Sequence, residues 1–227
     1  RTVRVWYVPL LRIFRRIPSR MRYWESSSSR RWWKRRTCAS RPRVIRETVL
    51  EETDRLNRLV GNLLDLSRVR AGALTPSKTK VSLEEVIEAV LARMRPQLEG
   101  RNVRTVIRPD LPDIPIDPMQ IDQVMTNLLE NAVRFSPPGS EILVSVAPWR
   151  SALQVRVADQ GPGVPASDRE RVFEAFYRGD GPGAGTGLGL AIARAIVESH
   201  GGSIRVEGAP SGGAAVVFEI PTESEGS

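Results

Sequence analysis

The charge of this chain reverses near residue 46, and that break limits which part of it can share one core. Residues 1–46 hold 14 Arg and one Lys against a single acid, Glu25. The remainder holds 19 basic and 25 acidic residues, so the formal net charge of +8 describes neither part. Four of the five tryptophans (Trp6, Trp24, Trp32, Trp33) also fall before the break. Residues 1–43 show no helical or strand period, and Pro9 and Pro18 interrupt any helix. The expectation is that this segment does not fold as written. Arg interleaved with Trp leaves three functional readings: a nucleic-acid patch, a membrane-surface anchor or a basic tail.

A few classes are excluded early. No run of 18 apolar residues exists, so no membrane-spanning helix is expected. The chain has one cysteine, Cys38, and one histidine, His200, which rules out an internal disulfide and a Cys/His metal cluster. A reducing compartment is expected. Beginning on Arg1, the chain reads as a piece of something longer.

From Val44 onward the sequence acquires order. Ile45, Val49, Leu56, Leu59, Val60, Leu63, Leu66 and Val69 recur close to a heptad seam, and Gly72 ends it. Such a helix needs a partner helix to cover its seam. A short strand is expected at 78–82, followed by a helix capped by Ser82 with Glu85 three residues on. Strands are expected at 102–107 and 113–116. Asp117 and Pro118 then open a helix, cap first and proline in the first turn. Strands at 141–148 and 152–158, a helix near 167–176, a helix at 188–199 and strands near 203–208 and 214–220 complete the reading. This order argues an α+β fold, with helices on one face of a mainly antiparallel sheet.

Three stretches of the second part suggest chemistry. On helix 118–135, Ile121, Val124, Met125, Leu128, Leu129 and Ala132 form the buried stripe. Asn127, Asn131 and Arg134 follow at i, i+4 and i+7 on what should be the exposed face. An amide oxygen is a neutral hard ligand for Mg²⁺, and a guanidinium can hold phosphate. A merely solvated polar face is the alternative. The strand 152–158 runs into Asp159, then a turn with Gly161 and Gly163. A carboxylate there can accept from an exocyclic amine such as that of adenine, while glycines let a flat ring approach. A plain turn is the alternative. Finally, six glycines lie within the thirteen residues Tyr177 to Gly189, directly ahead of a helix. Free N–H groups at a helix start favour an anion, here phosphate under a mobile lid. The core face of that helix is expected to be Leu188, Ile192, Ala195, Ile196 and Ser199. No strand precedes these glycines and no lysine follows them, so neither a dinucleotide fingerprint nor a P-loop fits. Neither HRD nor DFG occurs, which excludes the common protein-kinase fold.

The stretches NLLENAVRFSP, DQGPGVP, FEAFYRG and GTGLGLAIARAIVESHGG resemble, in order, the N, G1, F and G2 boxes of bacterial sensor histidine kinases. The resemblance covers about residues 44–221. It implies a second dimerisation-hairpin helix at 44–74, an ATP-binding domain at 75–221 built as a two-layer Bergerat-type α/β sandwich, and a tail at 222–227. Within the family, the stretches 120–140 and 172–180 look most like the potassium-responsive Kdp sensors. By position, Asn131 matches the Mg²⁺-holding asparagine, and Asn127 the residue supporting the phosphate and metal site. Arg134 matches the basic residue that meets the phosphates, and Phe135 the aromatic packed on the nucleotide. Asp159 matches the adenine-reading aspartate, with Gly161 and Gly163 beside it. Phe173, Phe176 and Arg178 match the F box at the start of the lid. Gly185, Thr186, Gly187, Leu188 and Gly189 match the phosphate-facing turn. The related gyrases and chaperones place a catalytic glutamate where Asn127 stands. An amide cannot serve as that base, so the resemblance implies ATP held for transfer rather than for hydrolysis.

The family also implies a phosphoaccepting histidine in a His-Asp/Glu-x-x-x-Pro setting, expected within residues 1–43, and none is there. His200 stands at a helix end before Gly201 and reads as structural. As written, the chain is expected to bind Mg-ATP but not to phosphorylate itself. Residues 3–43 read as a stretch translated out of frame, or else as a divergent basic segment. The rival reading of the whole is a nucleotide-binding regulatory module whose basic N-terminus meets membrane or nucleic acid; a gyrase-type ATPase is a third. The partners implied by the family are a response-regulator receiver domain and a second copy of the chain through helix 44–70. Nucleic acid is not expected, and membrane only through upstream domains. The implied location is cytoplasmic, on the inner face of the inner membrane in an intact parent.

Overall fold

A computed structural model of the chain describes residues 75–178, 186–209 and 212–223, together with Thr53, Val60, Gly61, Leu64 and Ser67, all five of which are helical. The chain divides into two units, Arg1–Glu51 and Glu52–Ser227. The first lies wholly outside the described residues, as does most of the expected helix 44–74.

The second unit is built on five strands. β2 (Asn102–Ile107), β4 (Glu141–Trp149), β5 (Ala152–Ala158), β6 (Ser203–Gly208) and β7 (Ala214–Pro221) lie in the order β2-β4-β5-β7-β6. β2 runs parallel to β4, and every other pairing is antiparallel. Two short strands, β1 (Thr79–Val81) and β3 (Ile114–Ile116), pair separately. The period of two decides the faces. Ile142, Val144 and Val146 of β4, Leu153, Val155 and Val157 of β5, and Phe218 and Ile220 of β7 point into one core with the helices. The opposite face is held by charge. Arg156 pairs with Glu207, Arg205 reaches Glu207 at 2.8 Å and Glu219 at 2.7 Å, and Gln154 donates to Glu219 at 2.9 Å. Among the described residues helices cover one face only, which is the two-layer arrangement expected from sequence.

Among the described residues three helices form the second layer: α1 (Leu83–Leu98), α2 (Pro118–Phe135) and α3 (Gly189–Ser199). α1 buries Leu83, Ile87, Val90, Met94 and Leu98, and its cap is half of the expected box: Ser82 Oγ accepts from Glu85 N at 3.4 Å. α2 starts where the sequence places it. Asp117 Oδ1 accepts from Met119 N at 3.1 Å and from Gln120 N at 3.2 Å. Its buried stripe of Ile121, Val124, Met125, Leu128, Leu129 and Ala132 is the expected one. Each large apolar side chain sealed there is worth about 1.5–3 kcal/mol. α3 ends in a Schellman turn, with Gly201 at φ +81°, Gly202 N on Val197 O at 3.0 Å and Gly201 N on Glu198 O at 2.9 Å.

Two expectations fail. The segment 167–176 is not a helix but two short 3-10 turns, Ala166–Asp168 and Arg171–Phe173. Phe176 takes φ +68° and donates its N–H to Gly187 O at 2.9 Å, so the chain is pulled off a helical course by a partner distant in sequence. The core face of α3 is also rotated. Ile192, Ala193, Ile196 and Val197 are buried, while Ala195 and Ser199 are only half-buried. Apolar residues occur nearly all round this helix, so period alone does not fix its inner face.

Candidate functional site

The sequence-derived residues gather where the C-terminal half of α2, the turn after β5 and the start of α3 meet. Asn127 is the first correction. It was expected on an exposed face, yet it is 8% exposed, because the first residue of α3 sits on it. A methyl group added to Gly189 would lie 3.3 Å from Asn127 Oδ1. The Asn127 Nδ2 is buried without a hydrogen-bond partner. Leaving an amide donor unmet costs about 1–3 kcal/mol, a cost that a bound anion would remove. Asn131, one turn on, is half-buried, and Arg134 is exposed, as the stripe predicts. Phe135 closes α2 and is 40% exposed.

Asp159 follows β5 and is buried. Its Oδ1 accepts from Gly161 N at 2.7 Å and from Ala214 N at 3.3 Å. Both bonds fall on one oxygen, which leaves Oδ2 to meet a ligand. Burial raises this carboxyl above its ordinary value of 3.8, against the lowering effect of the two N–H groups. The surrounding glycines are required by contact. A Cβ on Gly161 would stand 2.7 Å from Phe135 O, and Gly163 has φ +77°. The turn after β5 is thereby locked to the end of α2.

Gly213 was missed by the sequence reading. A Cβ there would approach Asp159 O to 1.9 Å, so only glycine lets β7 begin against Asp159 and present the Ala214 N–H to it. The adjacent Gly212–Gly213 pair ahead of a strand was the available signal.

The remaining residues divide. Phe176 is 57% exposed, and its tie to Gly187, at φ +69°, joins the F-box segment to the glycine loop. Thr186 Oγ1 accepts from Leu188 N at 3.2 Å, and Leu188 is buried. Arg178 is exposed. Phe173 is buried beside Val206 and Ala214, with Arg194 over its ring at 5.7 Å; it braces the segment rather than facing the crevice. Gly185 lies outside the described residues. The start of α3 has no side-chain cap, so its first N–H groups have no partner within the helix.

This set fits a nucleotide. An orphaned amide donor and an uncapped helix start suit phosphate oxygens, and a buried carboxylate beside tight glycines suits an amine-bearing ring. Among the described residues no group of three or more His, Cys, Asp or Glu could hold a metal ion. The site offers a divalent cation one neutral amide oxygen, that of Asn131, so its other ligands would have to come from water and phosphates. Also among the described residues, no helix is long and apolar enough to cross a membrane.

His200 belongs to none of this. It is 3% exposed and both ring nitrogens are bonded: Nε2 accepts from Asp117 N at 3.0 Å, and Nδ1 meets Ile196 O at 2.8 Å.

Residues 116–224 match the family described as histidine kinase-, DNA gyrase B-, and HSP90-like ATPase. The chain is 38% identical over 182 residues to the sensor protein KdpD of Escherichia coli, spanning 79% of this chain and 20% of that protein. A mycobacterial sensor histidine kinase, MprB, is 32% identical with a TM-score of 0.57, covering 63% of this chain and 97% of that one. Full-length ShkA in complex with AMPPNP is 30% identical with a TM-score of 0.71, covering 83% of this chain and 40% of that one. The chain thus spans only a part of the curated relative.

Proposed function

The chain belongs to the histidine kinase-, DNA gyrase B- and HSP90-like ATPases, within the sensor histidine kinases, and from that premise we propose that residues 75–221 bind Mg-ATP and present its terminal phosphate to a histidine of a separate segment. The observation that carries this reading is the Asn127 amide, buried and unpartnered at the start of α3. Bound ATP supplies the phosphoryl group. Asp159 Oδ2 takes the adenine amine, and Phe135 packs on the base. The α3 start with Gly187 and Gly189 holds phosphate oxygens, Arg134 neutralises them, and Asn131 provides one oxygen to Mg²⁺. Phe176 and Arg178 lead into the glycine-rich stretch 179–185. No carboxylate stands at position 127 to activate water, which supports transfer over hydrolysis.

The chain's single histidine is buried and fully bonded, so this chain holds no acceptor of its own. Phosphate would pass onward to a response-regulator receiver domain in the intact kinase. Val60 and Leu64, one helical turn apart, are 57% and 56% exposed, which supports helix 44–70 as a face for a second copy. The likeness to KdpD supports a Kdp-type sensor protein as the parent, for which we propose the cytoplasmic side of the inner membrane. Calorimetric titration with Mg-ATP tests the reading. Binding is expected, with at least tenfold loss in Asn131→Ala; a wild-type chain that is folded and takes up no nucleotide overturns it.

The 15 basic residues of positions 1–46 favour a second reading, a nucleotide-binding regulator with a basic anchor. It requires salt-dependent retention on anionic vesicles or DNA.

A further inference from the structure

His200 sits at the far end of α3 from the nucleotide crevice, and its bonds reach three segments. The Asp117 N–H donates to Nε2, so the proton is on Nδ1, which donates to Ile196 O within α3. Asp117 is also the cap of α2 through Met119 N and Gln120 N, and its Oδ2 accepts from Ser77 N at 3.0 Å. Lys78 Nζ donates to the His200 carbonyl at 3.3 Å. The imidazole therefore joins the C-terminus of α3 to the N-terminus of α2, while the His200 carbonyl and the Asp117 carboxylate hold residues 77–78 beside them. The C-terminal half of α2 carries Asn127 and Asn131 and the start of α3 carries Gly189, which form the proposed phosphate side of the crevice.

We infer that His200 is a positioning residue: its neutral ring fixes how α2 and α3 lie against each other, and so holds the phosphate side of the site, and protonation releases that hold. The inference rests on the nucleotide-binding reading of the crevice. Protonated Nε2 becomes a donor facing the Asp117 N–H, also a donor, and the bond is lost. Burial lowers the ring's affinity for a proton below the ordinary 6.5; the Ile196 carbonyl raises it, Lys78 lowers it and Asp117 raises it. On α3 itself, Glu198 is engaged by Arg194 at 2.7 Å. The sign follows. A ring that protonates less readily in the fold contributes stability that is complete above 6.5 and is lost as pH falls through the folded value.

The test compares the wild-type chain with His200→Gln and His200→Leu. Glutamine offers an acceptor oxygen to the Asp117 N–H but does not titrate; leucine offers none. Affinity for Mg²⁺ with a non-hydrolysable ATP analogue is measured from pH 8 to pH 5, below the unfolding temperature. The ratio of wild type to His200→Gln cancels titration of the nucleotide and of Asp159. His200→Gln is expected within about threefold of wild type at pH 8, and the ratio should fall about tenfold by pH 5. A ratio flat across the range overturns the inference, whether or not the leucine variant folds. If neither chain binds at pH 8, the nucleotide reading fails instead, and the thermal midpoint still decides the joint. Its acid-side loss should vanish in His200→Gln; an unchanged loss overturns it.

Discussion

Asp159 shows function and stability opposed at one residue. Its carboxyl is raised by burial, so ionising it in the fold is a cost at neutral pH. A raised value contributes stability that is present below 3.8 and lost as pH rises through the folded value. Asp159→Asn keeps an oxygen for Gly161 N and Ala214 N and removes the charge. The nucleotide-free protein should therefore melt at the same temperature or higher by calorimetry. Its affinity for ATP should drop at least about tenfold, since a charge-assisted bond is worth about 1.5–3 kcal/mol. Gly213→Ala should do the reverse of a clean functional variant. Its methyl meets backbone at 1.9 Å, so urea unfolding should report a loss above about 2 kcal/mol together with loss of nucleotide. Asp159 was legible in sequence because a charged residue after an alternating strand stands out. Gly213 was not, because its need for glycine comes from the backbone of Asp159, far earlier in the chain. Asn127 was expected on an exposed face and is buried. Helical period gave its face, but only the docking of α3 buries it.

At the level of elements, caps were read from sequence more safely than faces. Asp117 and Ser82 both stand where sequence put them, yet they differ in worth. Asp117 satisfies Met119 N, Gln120 N and Ser77 N, while Ser82 takes one long bond at 3.4 Å. Asp117→Ala should lower stability by about 2 kcal/mol and Ser82→Ala by about 0.5 kcal/mol, both measured by urea unfolding. Equal losses would show that the extra bonds of Asp117 contribute nothing. The misread 167–176 segment has the opposite cause. Its residues favour a helix locally, but Arg171 stacks on Tyr177 at 4.6 Å, Arg194 holds Phe173 from α3, and Phe176 is tied to Gly187. The ties to α3 and to Gly187, which lie outside the segment, override propensity, as they do where a segment borders a site.

For the whole molecule, the question is where the phosphoryl group goes. The ATP-binding fold is assembled from sequence after the charge break, and its one imidazole is spent on the joint between α2 and α3. The chain should therefore bind Mg-ATP and yet accumulate no acid-labile phosphate when incubated with labelled ATP. Labelling that survives in His200→Gln would place the acceptor on another residue type and would end the histidine-transfer reading for this chain. The basic segment decides between two histories. If it is out of frame, another reading frame of the DNA encoding residues 1–46 should give a histidine followed by an acid and, four residues later, proline, on an amphipathic helix with a seam to match Leu56, Leu59 and Leu63. Restoring that frame should give a chain that dimerises and labels itself, with the label passing to an aspartate of a receiver domain. If no frame contains such a helix, the arginines and tryptophans are the protein's own. Sedimentation should then find the chain on anionic vesicles at low salt and free of them at high salt, because binding through exposed charge is screened within about 10 Å at 0.1 M salt.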